Sequence, residues 1–275
     1  MHLNYERLRK SPVTFQKMTG LDIEKFDELV ILLSPSFAQI EAKKLRSGRN
    51  SRLSSVADKL LCGLVYYRTY ITHTFLGYLF SLHNSNICRL LQKLEPLLAK
   101  KITITKDRSL TSDKVLKLLV DVSEQPTQRP AKKQKKSYSG KKKRHTIKTE
   151  LVMEESGKII SVSKSHKGKI HDFRIRKGET PLPICHQKLA DSGYQGWQKL
   201  QKNVIIPYKR KKKQPLSKEE KLHNKQLASI RVRIEHKIRQ IKTFKIMSDV
   251  YRNFQKKYGL RFNIIAGLVN FKCGF

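Results

Sequence analysis

The sequence predicts an α+β protein in two parts, an all-α domain over residues 1–105 and an α/β domain over residues 110–275. In the first part apolar residues recur every three or four positions, the repeat of an amphipathic helix. After residue 110 they alternate one by one, the repeat of a strand half-buried in a sheet. Helical spacing then returns from about Ser217 to Thr243, which places a long helix after the strands.

Within the first part, "TGLDIEKFDELVILLSP" sets Leu21, Phe26, Leu29, Leu32 and Leu33 at helical spacing, so a helix is expected over 13–34 with Pro35 as its stop. A basic loop, "KKLRSGRNSR" at 43–52, precedes "LSSVADKLLCGLVYYRTY". There Ser54 or Ser55 is the N-cap candidate, and Val56, Leu60, Leu64 and Tyr67 form the apolar stripe.

Residues 72–94, "THTFLGYLFSLHNSNICRLLQKL", give two short helices framed by Leu76, Leu79, Leu82, Ile87, Leu90 and Leu91, with a tight turn near Phe80–His83. Gly77 stands where two helices could cross closely. This is the spacing of a helix-turn-helix, whose second helix enters the major groove of DNA. On that reading Asn84, Ser85, Asn86 and Arg89 face the DNA, and Asn and Arg are the side chains suited to adenine and guanine edges. An ordinary two-helix hairpin is the structural alternative, and Ser81 stands where a turn glycine is common.

The second part opens with "VLKLLVDV" at 115–122 as a strand. "HTIKTELVME" at 145–154 is the next, "ESGK" a turn, and "IISVSKS" a third, making an antiparallel meander; "NVIIPY" at 203–208 is another. The long helix carries Leu227, Ile230, Ile234, Ile238 and Ile241 on one side, and a last helix is expected over about 252–271.

Charge narrows the function. Lys and Arg number 59 against 22 Asp and Glu, a net +37. A fold does not need such an excess, whereas a polyanion attracts it over distance and binds it through counterion release. Double-stranded DNA is the expected partner. Two basic blocks stand out: Lys141, Lys142 and Lys143 within "AKKQKKSYSGKKKRHTIK", and Lys209, Arg210, Lys211, Lys212 and Lys213. Such runs are also ordinary solvated loops, but here they flank the segments that carry the acids discussed below, where they would grip phosphates without reading bases. No apolar run approaches the roughly 18–20 residues of a membrane span. The start, "MHLNYERLRKSPVTF", lacks the apolar core of a secretory signal. Cys62, Cys88, Cys185 and Cys273 are scattered, which argues against a disulfide framework or a zinc knuckle and fits a reducing cytoplasm. The expected location is the cytoplasm.

Three acids carry the chemistry. Asp121 closes the most apolar predicted strand, Asp191 closes a short one in "KLADSGYQGW", and Glu235 lies on the long helix beside Ile234. Acids from two strand ends and a helix can converge on one point. Hard Mg²⁺, with Mn²⁺ as a substitute, takes oxygen ligands and keeps positions open for water and phosphate oxygens. Two such ions about 3.5–4 Å apart stabilise the attacking and leaving oxygens of an in-line phosphoryl transfer. Gly193 would let the backbone turn tightly beside Asp191. Each acid also has an ordinary reading: Asp121 as a cap of the turn before Pro126, Asp191 in an Asx-turn with Ser192 and Gly193, Glu235 as an ion-pair partner of Arg231 or Arg239.

From Asp121 onward the chain resembles the DDE transposases of bacterial insertion sequences, in the group related to eukaryotic Harbinger-type transposases. The matching stretches are "DVSEQPTQRP", "YSGKKKRHTIK", "GKIHD", "ADSGYQG" and "RVRIEHKIRQIKTFKI", in that order, and the ending "YRNFQKKYGLRFNIIAGLVNF". The helix-turn-helix region resembles the group more weakly. The resemblance implies an RNase H-like catalytic domain with a mixed five-stranded sheet and helices, and a catalytic and metal-holding triad at Asp121, Asp191 and Glu235. It also implies supporting roles for His171, Asp172 and Arg231. Val122 departs from the pattern, since glycine or alanine is frequent there.

The resulting expectation is a metal-dependent DNA endonuclease and strand transferase. It would cut at terminal inverted repeats, join the freed 3′-hydroxyl to target DNA, and act as a homodimer or larger assembly on DNA. A non-catalytic DNA-binding regulator descended from a transposase is one alternative, and an RNase H-like nuclease without strand transfer is another. Three acids facing DNA count against the first; inverted repeats beside the reading frame would separate the second.

Overall fold

The computed structural model describes residues 3–43, 51–104, 117–132, 134–182, 187–210 and 214–275. The chain forms two compact units. One comprises Met1–Thr103, Lys242–Asp249 and Leu260–Phe275, and the other Ile104–Ile241 and Val250–Gly259. The expected change of character near residue 105 is thus a boundary, but the C-terminal residues expected in the second part pack with the first.

The N-terminal segment folds as α1 (Tyr5–Leu8), α2 (Pro12–Thr19), α3 (Ile23–Ala42), α4 (Val56–Thr69), α5 (His73–Phe80) and α6 (Asn84–Ile102). The second unit opens with β1 (Lys117–Pro126), α7 (Gln134–Ser137), β2 (Tyr138–Ser139), β3 (Arg144–Glu154), β4 (Ile159–Val162) and β5 (His166–Lys167). It continues with α8 (Asp172–Lys177), β6 (Gln187–Leu189), β7 (Val204–Ile205) and α9 (Lys218–Lys242); α10 (Tyr258–Lys272) follows. Among the described residues no helix is long and apolar enough to cross a membrane.

Local chemistry sets the helix ends. The single helix expected over 13–34 is two. Gly20 takes a left-handed φ of 85°, and Asp22 caps α3 by accepting from the Lys25 N–H at 2.8 Å. A side chain at Gly20 would strike the Phe244 ring, which a Cβ would meet at 2.6 Å. Pro35 does not end α3, which continues to Ala42. Pro35 removes only a bond to the carbonyl of Ile31, a residue that is 72% exposed and open to water, while buried Phe37 anchors the turn beyond. Ser55, of the two candidates, caps α4 by accepting from the Asp58 N–H at 2.9 Å.

Helices α5 and α6 form the expected pair, although α6 is long. Ser81 joins them in the left-handed region at φ 52°. The Leu82 N–H donates to the Gly77 carbonyl at 2.8 Å, and a Cβ on Gly77 would lie 2.3 Å from the Leu82 oxygen. Gly77 therefore serves the tight turn rather than a helix crossing. In the same unit, α10 buries Phe262, Ile264, Ile265 and Leu268, and Arg261 donates to buried Glu95 at 2.6 Å. A Cβ at Gly267 would overlap the Ile102 carbonyl, so the backbones of α10 and α6 meet directly.

The second unit is built on a mixed sheet. Its central strands run in the order β4-β3-β1-β6-β7, with β2 and β5 also paired to β3. β3 is antiparallel to β1 and β4; β6 is parallel to β1 and β7. Five strands thus follow the expected mixed pattern, and two short ones add to it. Leu118, Val120, Val152, Ile160, Tyr194 and Trp197 belong to its core. β1 is described from Lys117 and runs past the expected end at 122 to Pro126; residues 115 and 116 lie outside the described ones, and Asp121 sits mid-strand opposite Leu151. The extension escaped the hydrophobic pattern because its buried members, Ser123 and Gln125, are polar.

Candidate active site

Asp121 stands on the central strand with its carboxylate 19% exposed. One oxygen accepts from the Val122 N–H at 2.7 Å, and the other lies 3.7 Å from the Arg231 guanidinium of α9. Burial pushes its pKa up to about 6. Arg231 and the Val122 N–H oppose that rise, while nearby Asp191 and Asp172 add to it.

Asp191 follows β6 by two residues and opens a 3-10 turn at Ser192–Tyr194, accepting from the Gly193 N–H at 2.8 Å. The Asx-turn read as its ordinary role is therefore present, and it fixes the carboxylate beside the sheet edge. Gly193 separates two acids: a Cβ there would lie 2.8 Å from Asp172 Oδ2 and 3.0 Å from Asp191 Oδ1. Asp172 is the first residue of α8 and pairs with Lys148 of β3 at 3.0 Å. His171 precedes it, exposed, and makes no side-chain cap to the helix.

Glu235 is exposed on α9, one turn beyond Arg231 and beside buried Ile234 and Ile238. Its expected partner Arg231 reaches Asp121 instead, and among the described residues Glu235 makes no ion pair. The structure thus brings together Asp121, Asp191 and Asp172. Glu235 stays at the rim of the helix's buried stripe. Among the described residues no three His, Cys, Asp or Glu side chains are gathered as a ligand set for a metal ion. In kind the donors suit a hard divalent cation: they are carboxylate oxygens whose mutual repulsion and burial already raise Asp121. Arg231 supplies the compensating charge in this conformation.

A buried network went unread in the sequence. Arg176 of α8 donates to Glu150 of β3 at 2.7 Å, and the Tyr194 hydroxyl donates to the other Glu150 oxygen at 3.1 Å. Glu150 is paired across the sheet with Val122, next to Asp121. Burial pushes the Glu150 carboxyl up to about 7, against the opposing pull of Arg176 and the Tyr194 hydroxyl. The guanidinium of Arg176 also lies 5.9 Å from the Trp197 ring centroid. The network ties the turn after Asp191 to the strand beside Asp121. The signal available was Tyr194 and Trp197 inside "DSGYQGW", two large aromatics directly after a ligand candidate.

In the helical unit, Asn84, Asn86 and Arg89 are exposed on the first turns of α6, and Ser85 is partly so. Arg89 donates to the Asn86 side chain at 3.2 Å, and His83 caps the helix at Ser85. In the second unit Lys141, Lys142 and Lys143 are exposed before β3, and Lys209 and Arg210 are exposed after β7. Lys211, Lys212 and Lys213 lie outside the described residues.

Residues 120–270 match the protein-family model described as DDE superfamily endonuclease. The chain belongs to the DDE superfamily endonucleases. The family's own helix-turn-helix model matches residues 51–104, which hold α4, α5 and α6. Membership therefore implies a DNA-binding nuclease, and its endonuclease match spans Asp121, Asp172, Asp191, Arg231 and Glu235.

A protein of Microchaete diplosiphon, named as a probable transposase for insertion sequence element IS702, is 35% identical over 263 residues, 94% of each chain. A protein of Streptomyces albus G, named likewise for insertion sequence element IS112, is 27% identical over 245 residues, 86% of this chain and 87% of its own. No solved structure matches this chain.

Proposed function

We propose that this chain is a transposase with an RNase H-like catalytic domain. It cuts DNA at the terminal inverted repeats of a mobile element and joins the freed 3′-hydroxyl to a target phosphodiester. The observation that carries the reading is the placement of Asp121. It is fixed on the central strand, largely but not fully buried, and raised to about 6 with Asp191 and Asp172 adding to the rise. A site that concentrates negative charge at such a cost, in a chain of net +37, suits a cation and a phosphate rather than DNA binding alone. The names of the two relatives support transposition over simple nuclease action.

Asp121, Asp191 and Glu235 are the residues that would hold divalent metal, Mg²⁺ or Mn²⁺, in two ions. Bound metal supplies charge for the attacking and leaving oxygens of phosphoryl transfer. The chain's residues do the rest. Glu235 lies one helical turn, about 6 Å along α9, from the Arg231 that pairs with Asp121, which sets it on the side of the helix nearest this acid. The Gly193 N–H holds the Asp191 carboxylate in its turn, and Lys148 offsets the charge of Asp172 beside it. Lys141–Lys143 and Lys209–Lys213 grip phosphates, while Asn84, Ser85, Asn86 and Arg89 read bases. Joining two ends calls for at least a dimer on DNA, and the work is done on the nucleoid in the cytoplasm.

The test is strand cleavage and joining of a duplex carrying the element's end, with Mg²⁺ or Mn²⁺. Asp121→Asn and Glu235→Gln should each abolish cleavage while DNA binding persists. Substantial cleavage by Asp121→Asn would overturn the reading, and cleavage by Glu235→Gln would remove Glu235 from the site. Cutting without joining would reduce the function to a nuclease.

A further inference from the structure

We propose that a cleft formed by Gln195, Gln198, Tyr208, Lys209, Arg210 and His223 binds one unpaired nucleotide of a DNA strand. The inference rests on the reading of this chain as an enzyme that works on DNA. The cleft measures about 820 Å³, a size suited to a small organic ligand. Its apolar wall is Val204, Ile205 and Ile206, from β7 and the residue after it.

Tyr208 is held in place but not covered. Asn224 of α9 clamps its main chain from both sides, accepting from the Tyr208 N–H at 2.8 Å and donating to the Tyr208 carbonyl at 3.0 Å. Gln195 donates to the preceding Pro207 carbonyl at 3.1 Å. The ring meets His223 edge-on, with centroids 4.9 Å apart, and 52% of Tyr208 remains exposed. A large aromatic so firmly placed and so open has its surface available to a partner.

Each wall suits a part of a nucleotide. The phenol ring offers a face to a base, Lys209 and Arg210 offer charge to its phosphate, and the two amides and the imidazole offer donors and acceptors to its edge. Glu220, the acid at the cleft, is engaged in capping its own helix: it accepts from the Ser217 N–H at 2.9 Å while the Ser217 hydroxyl accepts from the Glu220 N–H at 3.1 Å. A paired base hides its faces in the stack, so stacking on Tyr208 selects an unpaired one. Gln195 and Gln198 follow the Asp191 turn directly in sequence, which sets this wall of the cleft on the segment that carries that acid.

The experiment compares full-length wild type, Tyr208→Ala and Tyr208→Phe for affinity to a short oligothymidylate and to a mixed-sequence duplex. Tyr208→Ala should weaken oligothymidylate by about 5- to 150-fold, the worth of one stacked base, and leave the duplex unchanged. Tyr208→Phe should behave as wild type on both. Because Tyr208 is half-exposed, the melting temperature should hold in both variants. Equal weakening on both DNAs would make Tyr208 a support for phosphate contacts and overturn the inference, as would no weakening on either. If wild type cuts no DNA yet the single-strand effect is found, the nucleotide cleft stands and the transposase reading fails. If wild type cuts and joins DNA but the single-strand effect is missing, the transposase reading stands and the cleft fails.

Discussion

Gly193 is the position near the acids where one methyl group should do most harm. Its absent Cβ lies between Asp172 and Asp191, closer to both than van der Waals contact allows. Gly193→Ala should lower stability by about 1–3 kcal/mol, as overpacking does, and should reduce cleavage by pushing Asp191 aside. A urea midpoint and a cleavage rate on the same preparation check both halves. Glu150 gives a test by pH. Its carboxyl is raised from 4.5 to about 7 by burial, so between those values the folded state holds more protons than the unfolded chain. The neutral carboxyl's advantage is complete below pH 4.5 and is lost as pH rises through 7. Relative to Glu150→Gln, wild type should lose stability across that window, by at most about 1.4 kcal/mol per pH unit, and change little above it. Melting curves of both proteins at several pH values decide this; parallel curves would show that Glu150 is charged throughout. Asp121 and Asp191 were legible because an acid beside apolar strand residues is unusual. Glu150 was not, because its setting depends on Arg176 and Tyr194, which are distant in sequence and meet it only through the sheet.

The helix-turn-helix rests on two small residues with different duties. Ser81 adopts a left-handed φ of 52° that costs a side-chain-bearing residue about 1–2 kcal/mol. Ser81→Gly should therefore raise the melting temperature and leave DNA affinity unchanged. Gly77→Ala should do the reverse, since its Cβ would strike the Leu82 carbonyl and prise α5 from α6. Arg89→Ala should weaken binding to the element's own end more than to random duplex, by about 1–3 kcal/mol if a bidentate base contact is lost. Equal losses measured on the two DNAs would mark Arg89 as a phosphate contact. Helix patterns were the most readable elements, since a cap such as Ser55 acts within one turn, although the cap at Asp22 inside the single helix expected over 13–34 went unread. Pro35 misled because a helix tolerates the lost bond where the freed carbonyl faces water. The far half of β1 was hidden because its buried residues are Ser123 and Gln125, polar groups that a central strand can shelter.

For the whole molecule, a net charge of +37 makes salt the dominant variable. Affinity for random duplex should fall by roughly three to five orders of magnitude between 50 and 200 mM salt if 6–10 phosphates are contacted. A flat response would take the basic blocks out of the interface. The order of helices and strands carried the two-part architecture, yet it gave no hint that α10 leaves the second part. Apolar residues on every side of α10 show that it is buried, without naming the neighbour. That neighbour is the helical unit, where Arg261 meets Glu95 and Gly267 meets Ile102. Ribosomes emit a chain from its amino end, so α1 to α6 emerge before residues 104–241 and must wait for Lys242–Asp249 and Leu260–Phe275 before their core is complete. A polypeptide halted early, by a nonsense codon or a stalled ribosome, carries the helix-turn-helix on an unfinished scaffold. Truncated copies of such a gene thus yield a helix-turn-helix without its full core.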